Sequence, residues 1–283
     1  MKGICELYKM ETELMESHIF PKFAVNYHKK SGSKYLRQFI EPNKRIQDSI
    51  KHYLLSEKAE QEFSKKEKWF SEKMFYPYIK GKTELNYSEE LFYFAISFLW
   101  RVLILHFKTE ELSNKWYFEI LKNAEIEWRD FLTKNTYPRN FDKNYLFLTY
   151  DFEKNNTGIK GVHYYLARTF DATIISSENK ENLLICGKFN RFMFWSVLKG
   201  NQDLDGIKSC KINPINGELI SPQRLEYFPL NSFLGNRIIG INNLEKPNEF
   251  QQEKILKEIL KNPTEFMNSE VGKILFRDYE DEK

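Results

Sequence analysis

The chain has 283 residues, with 43 Lys and Arg against 40 Asp and Glu, so its net charge is only +3. That length holds one large domain or a small module beside a larger one, and so small a charge surplus does not by itself imply nucleic-acid binding. Its 24 Phe and 16 Tyr supply ample large apolar surface for a core, which excludes a disordered chain.

The charge is unevenly spread. Residues 1–80 carry 16 Lys and Arg against 11 Asp and Glu, and the rest of the chain is slightly acidic. Much of the excess sits at Lys29, Lys30, Lys34, Arg37, Lys44, Arg45 and Lys51. A basic face of this kind attracts phosphates and steers a polyanion; a solvated lysine-rich surface accounts for it equally well.

The opening MKGICELYKMETEL lacks an apolar stretch and carries acids early, so no signal peptide is expected. Three cysteines, Cys5, Cys186 and Cys210, are odd in number and far apart. That argues against disulfides and for a reducing compartment, with the cytoplasm as the default.

Along the chain, the first eighty residues are polar and turn-rich, with Ser31-Gly32-Ser33 and Glu41-Pro42-Asn43 marking loops. A helical pattern covers 56–73, closed by Pro77 and Gly81. Residues 87–107 read as a strongly apolar helix with Ser88 as N-cap and Glu89 and Glu90 at its positive end. Within it the apolar run 91–107 has only 17 residues and contains Arg101, so it reads as a buried helix rather than a membrane span. A second helix is expected at 110–133, antiparallel to the first. Beyond Pro138, the segments 144–150, 169–176 and 182–189 are rich in strand formers, and 191–199 and 207–212 are two further strand candidates. Residues 248–276 return to helix. The order predicts an α+β fold, divided into a module over 1–80 and a larger domain over 81–283.

Three short segments carry the most information. They are Cys5-Glu-Leu-Tyr8, then Ser17-His18-Ile19-Phe20-Pro21, then Leu54-Leu55-Ser56-Glu57-Lys58-Ala59. The frame and spacing resemble those of a bacterial family of HNH-like, treble-clef proteins. In that family the same positions read as a Cys-x-x-Cys knuckle, a Ser-His-Ile-Ile-Pro element and a second Cys-x-x-Cys opening a helix. The resemblance continues through the Arg-Thr-Phe-Asp-Ala-Thr-Ile-Ile block at 168–175 and the Lys-Phe-x-Arg-Phe-x-Phe-Trp block at 188–195. It implies a zinc-finger-type module joined to a larger domain, with links to nucleic acid or phage defence.

In this chain the ligands are mostly gone. Cys5 keeps the first metal position, while Tyr8, Ser56 and Ala59 hold the other three. Neither a methyl nor a serine hydroxyl replaces a zinc thiolate, so no metal is expected, and the module must be held by packing. Tyr8, Phe20, Phe23, Leu54 and Phe63 are the residues expected to fill the space.

The reading that follows is a non-catalytic binding protein, for nucleic acid or a protein partner, without cofactor. The alternative is an HNH-like nuclease using Mg or Mn, with His18 as general base, Asn43 orienting it, and Glu60 with Asp48 toward the cation. His18 as a structural histidine beside a proline turn is the blander account. Four weaker signals remain. Arg168 and Asp171 are candidates for a buried pair, and His163 with Tyr164 and Tyr165 for base stacking. Cys186 reads as a buried small hydrophobe, and Lys188, Arg191 and Lys199 as the lining of a phosphate groove. No P-loop, dinucleotide or zinc-protease motif is present in the sequence.

Overall fold

The computed structural model describes residues 1–32, 35–150, 159–200, 205–223 and 227–281. It is a mixed α+β structure, as the element order predicts.

The N-terminal part starts with β1 (Lys2–Ile4), β2 (Glu11–His18) and the short helix α1 (Lys22–Lys30), which begins directly after Pro21. The hairpin β3 (Leu36–Gln38) and β4 (Glu41–Ile46) follows, then β5 (Lys51–Ser56). Strands β1, β2 and β5 form an antiparallel sheet in that order, with an irregularity in the β2–β5 register between Met15 and Glu16. These strands escape the sequence reading because β2, ETELMESH, buries only Leu14 and Ser17 and exposes most of its charge.

Helix α2 (Glu57–Phe70) leaves β5 with no loop, because Ser56 ends the strand and caps the helix. It runs into a π-helical turn, Ser71–Phe75, and then α3 (Tyr76–Ile79), where Gly81 takes φ +92° in the turn that follows. Glycine is the residue suited to that left-handed position after a helix end.

Strand β6 (Glu84–Ser88) leads directly into α4 (Glu89–Thr109). Ser88 stands at the N-cap position, but its side chain makes no capping hydrogen bond, contrary to the expectation. Among the described residues α4 is the one helix long and apolar enough to cross a membrane, and 83% of its most apolar stretch is buried inside the protein. Helix α5 (Phe118–Lys134) begins eight residues later than the sequence suggested. The intervening stretch turns instead, with the Ser113 amide held by Glu111.

Four strands build the second sheet: β7 (Asn144–Leu148), β8 (Phe170–Ser176), β9 (Leu183–Phe189) and β10 (Phe192–Lys199). Their order is β7-β10-β9-β8 and all pairs are antiparallel. Strand β7 is buried at every position, and β10 at all but its last. Both faces of the sheet are therefore covered, which explains why these strands read as continuous apolar runs rather than alternating ones.

On one face Leu146, Ile185, Phe189, Phe192 and Phe194 belong to the core built around α4. Here Gly187 lets the helix come close: a Cβ added to it would lie 2.6 Å from the Phe98 ring. On the other face Tyr145, Phe147, Cys186, Met193 and Trp195 pack against α6 (Val162–Arg168) and α7 (Phe228–Asn242). Helix α7 contributes Leu230, Leu234 and Ile238 at four-residue spacing.

The 207–212 segment is not a strand. A 3-10 turn covers Asp205–Cys210, and the extended piece after it makes only an isolated bridge from Lys211 to Tyr145. The strand after it, β11 (Asn216–Ile220), pairs with β6. The chain closes with α8 (Glu249–Lys261), α9 (Pro263–Asn268) and α10 (Glu270–Asp281).

One apolar cluster runs from Cys5 through α2 and α4 to Leu219, across the boundary expected at residue 80. Phe70 from the end of α2 stacks on Phe94 of α4 with ring centroids 4.1 Å apart, and lies 5.3 Å from Phe192 of the sheet.

Candidate functional site

The N-terminal sequence folds a tight turn at residues 5–10. The Cys5 amide donates to the Met10 carbonyl at 2.9 Å, and the Lys9 amide to the Cys5 carbonyl at 2.7 Å. The Glu6 amide then donates to Leu54 of β5 at 2.9 Å, which brings the turn against the start of α2.

There the expected metal positions meet. Cys5 Sγ donates to Ser56 Oγ at 3.6 Å, and the Ser56 amide donates back to the sulfur at 3.3 Å. Ser56 Oγ also accepts from the Ala59 amide at 3.3 Å, the N-cap bond of the helix. Cys5 and Ala59 are fully buried.

Tyr8 turns along α2, where its hydroxyl donates to Glu62 at 2.7 Å and its ring lies under Lys58. Burial first, and then the neighbouring Glu62 carboxylate, raises its phenol above the ordinary range. Phe20, Leu54 and Phe63 are buried and Tyr8 and Phe23 partly so, in the same cluster as Cys5. A thiol, a hydroxyl committed to a helix cap, a methyl and a phenol do not make a tetrahedral zinc site. Among the described residues, no group of three or more His, Cys, Asp and Glu side chains is placed to hold a metal ion.

His18 ends β2. Its Nε2 lies 3.2 Å from Asp48 Oδ2, and its carbonyl accepts from Arg101 Nη1, which also bonds Glu67 at 2.7 Å. Asp48 in turn receives Lys51 Nζ at 2.9 Å, and Lys51 also reaches Glu16 at 3.1 Å. Burial alone would raise the Asp48 carboxyl; bonds from Lys51, the Ser49 amide and His18 outweigh it and hold the group at about 2.

The lysine thus sits where a counter-cation for Asp48 would sit. An imidazole oriented by a carboxylate can act as a base. The other two residues expected at such a site are not brought to it by any contact described. Asn43 Oδ1 instead accepts from the Asn248 amide at 2.8 Å, and Glu60 stays on the half-exposed side of α2.

The basic residues divide into engaged and available groups. Arg37 donates to the Pro42 carbonyl and to Gln251 of α8 at 3.0 Å. Arg45 reaches Glu258 of the same helix at 3.1 Å and lies over the Tyr35 ring. Lys29 donates to the Gln47 carbonyl, which ties the end of α1 to the loop after β4. Lys44 makes only a 3.4 Å pair with Glu41, and Lys30 is exposed with no ion pair among the described residues. Lys34 lies outside the described residues.

Apart from Arg191, which lines a cleft, the weaker candidates turn out to be structural. Arg168 and Asp171 do not pair with each other. Arg168 bonds Glu270 at 2.8 Å and the His28 carbonyl at 2.7 Å, while Asp171 takes a two-point bond from Arg237 and one from Tyr165. His163 is buried against Asp281 at 2.6 Å, with its amide on Asp278, so it offers no stacking face.

Cys186 is fully buried, and burial, with the nearby Asp171 charge, pushes its thiol up. Lys188 is also fully buried. It donates to the Thr169 and Asn190 carbonyls, and burial pulls its ammonium down to about 7, so it lines no groove. Lys199 donates to the Lys180 carbonyl.

Sequence reasoning missed the polar centre of the molecule. Glu270, at the start of α10, accepts from Tyr27 at 2.6 Å, from Arg168 at 2.8 Å and from Arg191 at 2.8 Å. Burial would raise its carboxyl, but the Arg191 and Arg168 charges lower it.

His28 lies beside this centre with Nδ1 3.4 Å from Asn190 Oδ1. Burial, followed by the charge of Arg168, depresses its imidazole to about 3. An unfolded histidine binds its proton below about 6.5, whereas the folded one refuses it down to about 3. Stability therefore rises with pH across that window and is lost on acidification. Each pH unit below 6.5 should cost up to about 1.4 kcal/mol from this group alone. Melting curves of wild type and His28→Gln across pH 4–7 check it: their difference should shift in favour of the variant as pH falls.

No family model, no curated protein and no solved structure matches the chain.

Proposed function

We propose that the chain is a non-catalytic nucleic-acid-binding protein of the cytoplasm, built on a treble-clef-like module whose metal site has been replaced by packing. The observation that carries this reading is a contrast. The former ligand positions are closed by the Cys5–Ser56 bonds and the buried Ala59. The end of α1 and the adjoining hairpin, tied by the Lys29–Gln47 bond, keep Lys29, Lys30 and Lys44 at the surface. A frame that has given up its metal but kept its basic rim suits binding rather than hydrolysis.

The reading includes a brake. Arg37 and Arg45 are held by Gln251 and Glu258 of α8, a helix with no buried residue of its own. Phosphates would compete with α8 for those two guanidinium groups.

Fluorescence anisotropy with labelled single-stranded RNA and duplex DNA, across a salt series, tests this. Lys30→Glu with Lys44→Glu should weaken binding about tenfold and reduce the salt slope by roughly two. Glu258→Ala should strengthen binding several-fold by freeing Arg45. Absence of salt-dependent binding would sink the reading and turn attention to a protein partner for the same face.

A second reading, an HNH-like nuclease, is favoured by the His18–Asp48 contact alone. It requires cleavage of the same nucleic acids, abolished by His18→Ala.

A further inference from the structure

A cleft of about 490 Å³ opens between the turn after α3, the β9–β10 hairpin and the start of α10. Its walls bring together cations that lie far apart in sequence: Lys80 and Lys82 on either side of Gly81, Arg191 from the hairpin, and Lys273 from α10. The three lysines are exposed, and among the described residues none of them has an ion-pair partner.

The floor is a different environment. Arg191 is 9% exposed, clamped between the Tyr150 ring, 3.7 Å from its guanidinium, and Glu270. It uses Nε and Nη2 on Glu270, so its remaining Nη1 takes no part in that clamp. Glu270, the one carboxylate of the lining, is shared with buried Arg168, so two guanidinium charges face one carboxylate. The cleft is thus positive at its base and at its rim.

We propose that this cleft binds the phosphate group of a small phosphorylated molecule, gripped by Lys80, Lys82 and Lys273 above the fixed guanidinium of Arg191. Several donors converging from three segments match the several oxygens of a phosphate better than the two of a carboxylate. The space is in the range of small-molecule sites and larger than a lone phosphate needs. Tyr27 and Tyr150 in the lining offer ring surface to the body of a nucleotide-sized ligand. The proposal uses none of the residues assigned to nucleic-acid binding, so the two stand or fall separately.

The test is isothermal titration of the full chain, at low salt, with inorganic pyrophosphate, ATP and unphosphorylated adenosine. Pyrophosphate, ATP or both should bind at one site per chain, and adenosine should not. Lys82→Ala with Lys273→Ala should weaken that binding about tenfold or more, while Lys261→Ala, outside the cleft, should leave it unchanged.

The substituted lysines are exposed and unpaired, so these variants should fold, which circular dichroism checks. Much tighter binding of ATP would identify a nucleotide as the occupant, and equal binding a simple phosphate compound. Failure of both phosphate ligands to bind at millimolar concentration, or binding indifferent to the double substitution, would overturn the proposal.

Discussion

Replacing Glu270 with alanine should lower the free energy of unfolding by about 3–5 kcal/mol, the cost of stranding buried charge. Its carboxylate is the shared acceptor for Tyr27, Arg168 and Arg191. Arg168 is 1% exposed, and without Glu270 its charge would be left with only the Ser31 hydroxyl and the His28 carbonyl. The effect also spreads, because those partners join α10 to α1, α6 and the β9–β10 hairpin. Glu270→Gln keeps an accepting oxygen and the shape, so it should lose less than alanine does. Urea unfolding of the three proteins gives the comparison. Equal stability of wild type and Glu270→Ala would mean that the ion pairs contribute nothing net.

Phe70→Ala should be similarly damaging, by about 3–5 kcal/mol, as expected for a large aromatic removed from a tight core. Phe70 is fully buried where four elements meet, against Phe23, Phe94, Phe189 and Phe192. Those rings come from α1, α4, β9 and β10, so the cavity would open where the first eighty residues join the rest. If that joint is as continuous as the packing implies, thermal unfolding of the variant stays a single transition at lower temperature. Two separated transitions would show that the N-terminal part folds by itself.

What could be read in advance follows from where each signal lies along the chain. The second sheet was legible because its strands are contiguous runs of branched and aromatic residues, with β7 and β10 buried on both faces. Helix α4 was legible from its apolar length. The first sheet was not, because its central strand β2 carries four glutamate and histidine side chains and buries only Leu14 and Ser17.

Helix α7, FPLNSFLGNRIIGIN, hides its helical period behind two glycines and three asparagines. The 207–212 segment misled because its apolar ends are both buried, Ile207 in the 3-10 turn and Ile212 in the extended piece after it. At the site, the meeting of Cys5, Ser56 and Ala59 was expected from the resemblance of their segments to a treble-clef frame, not from spacing, since Cys5 and Ser56 lie 51 residues apart. The Glu270 centre was not legible, because the partners of that carboxylate lie 79 to 243 residues away from it. Of the cleft only Arg191 was expected to line a phosphate groove, because Lys80, Lys82 and Lys273 come from distant segments. The nearest local trace of the cleft is the pair of lysines flanking Gly81.

The central claim is that the N-terminal module is held by the Cys5–Ser56 bonds and the surrounding packing in place of a metal. The most direct test is elemental mass spectrometry of the full chain purified without added metal, paired with its melting temperature before and after EDTA. The account predicts far less than one zinc per chain and a melting temperature that EDTA leaves unchanged. About one zinc per chain, lost to EDTA together with several degrees of stability, would contradict it.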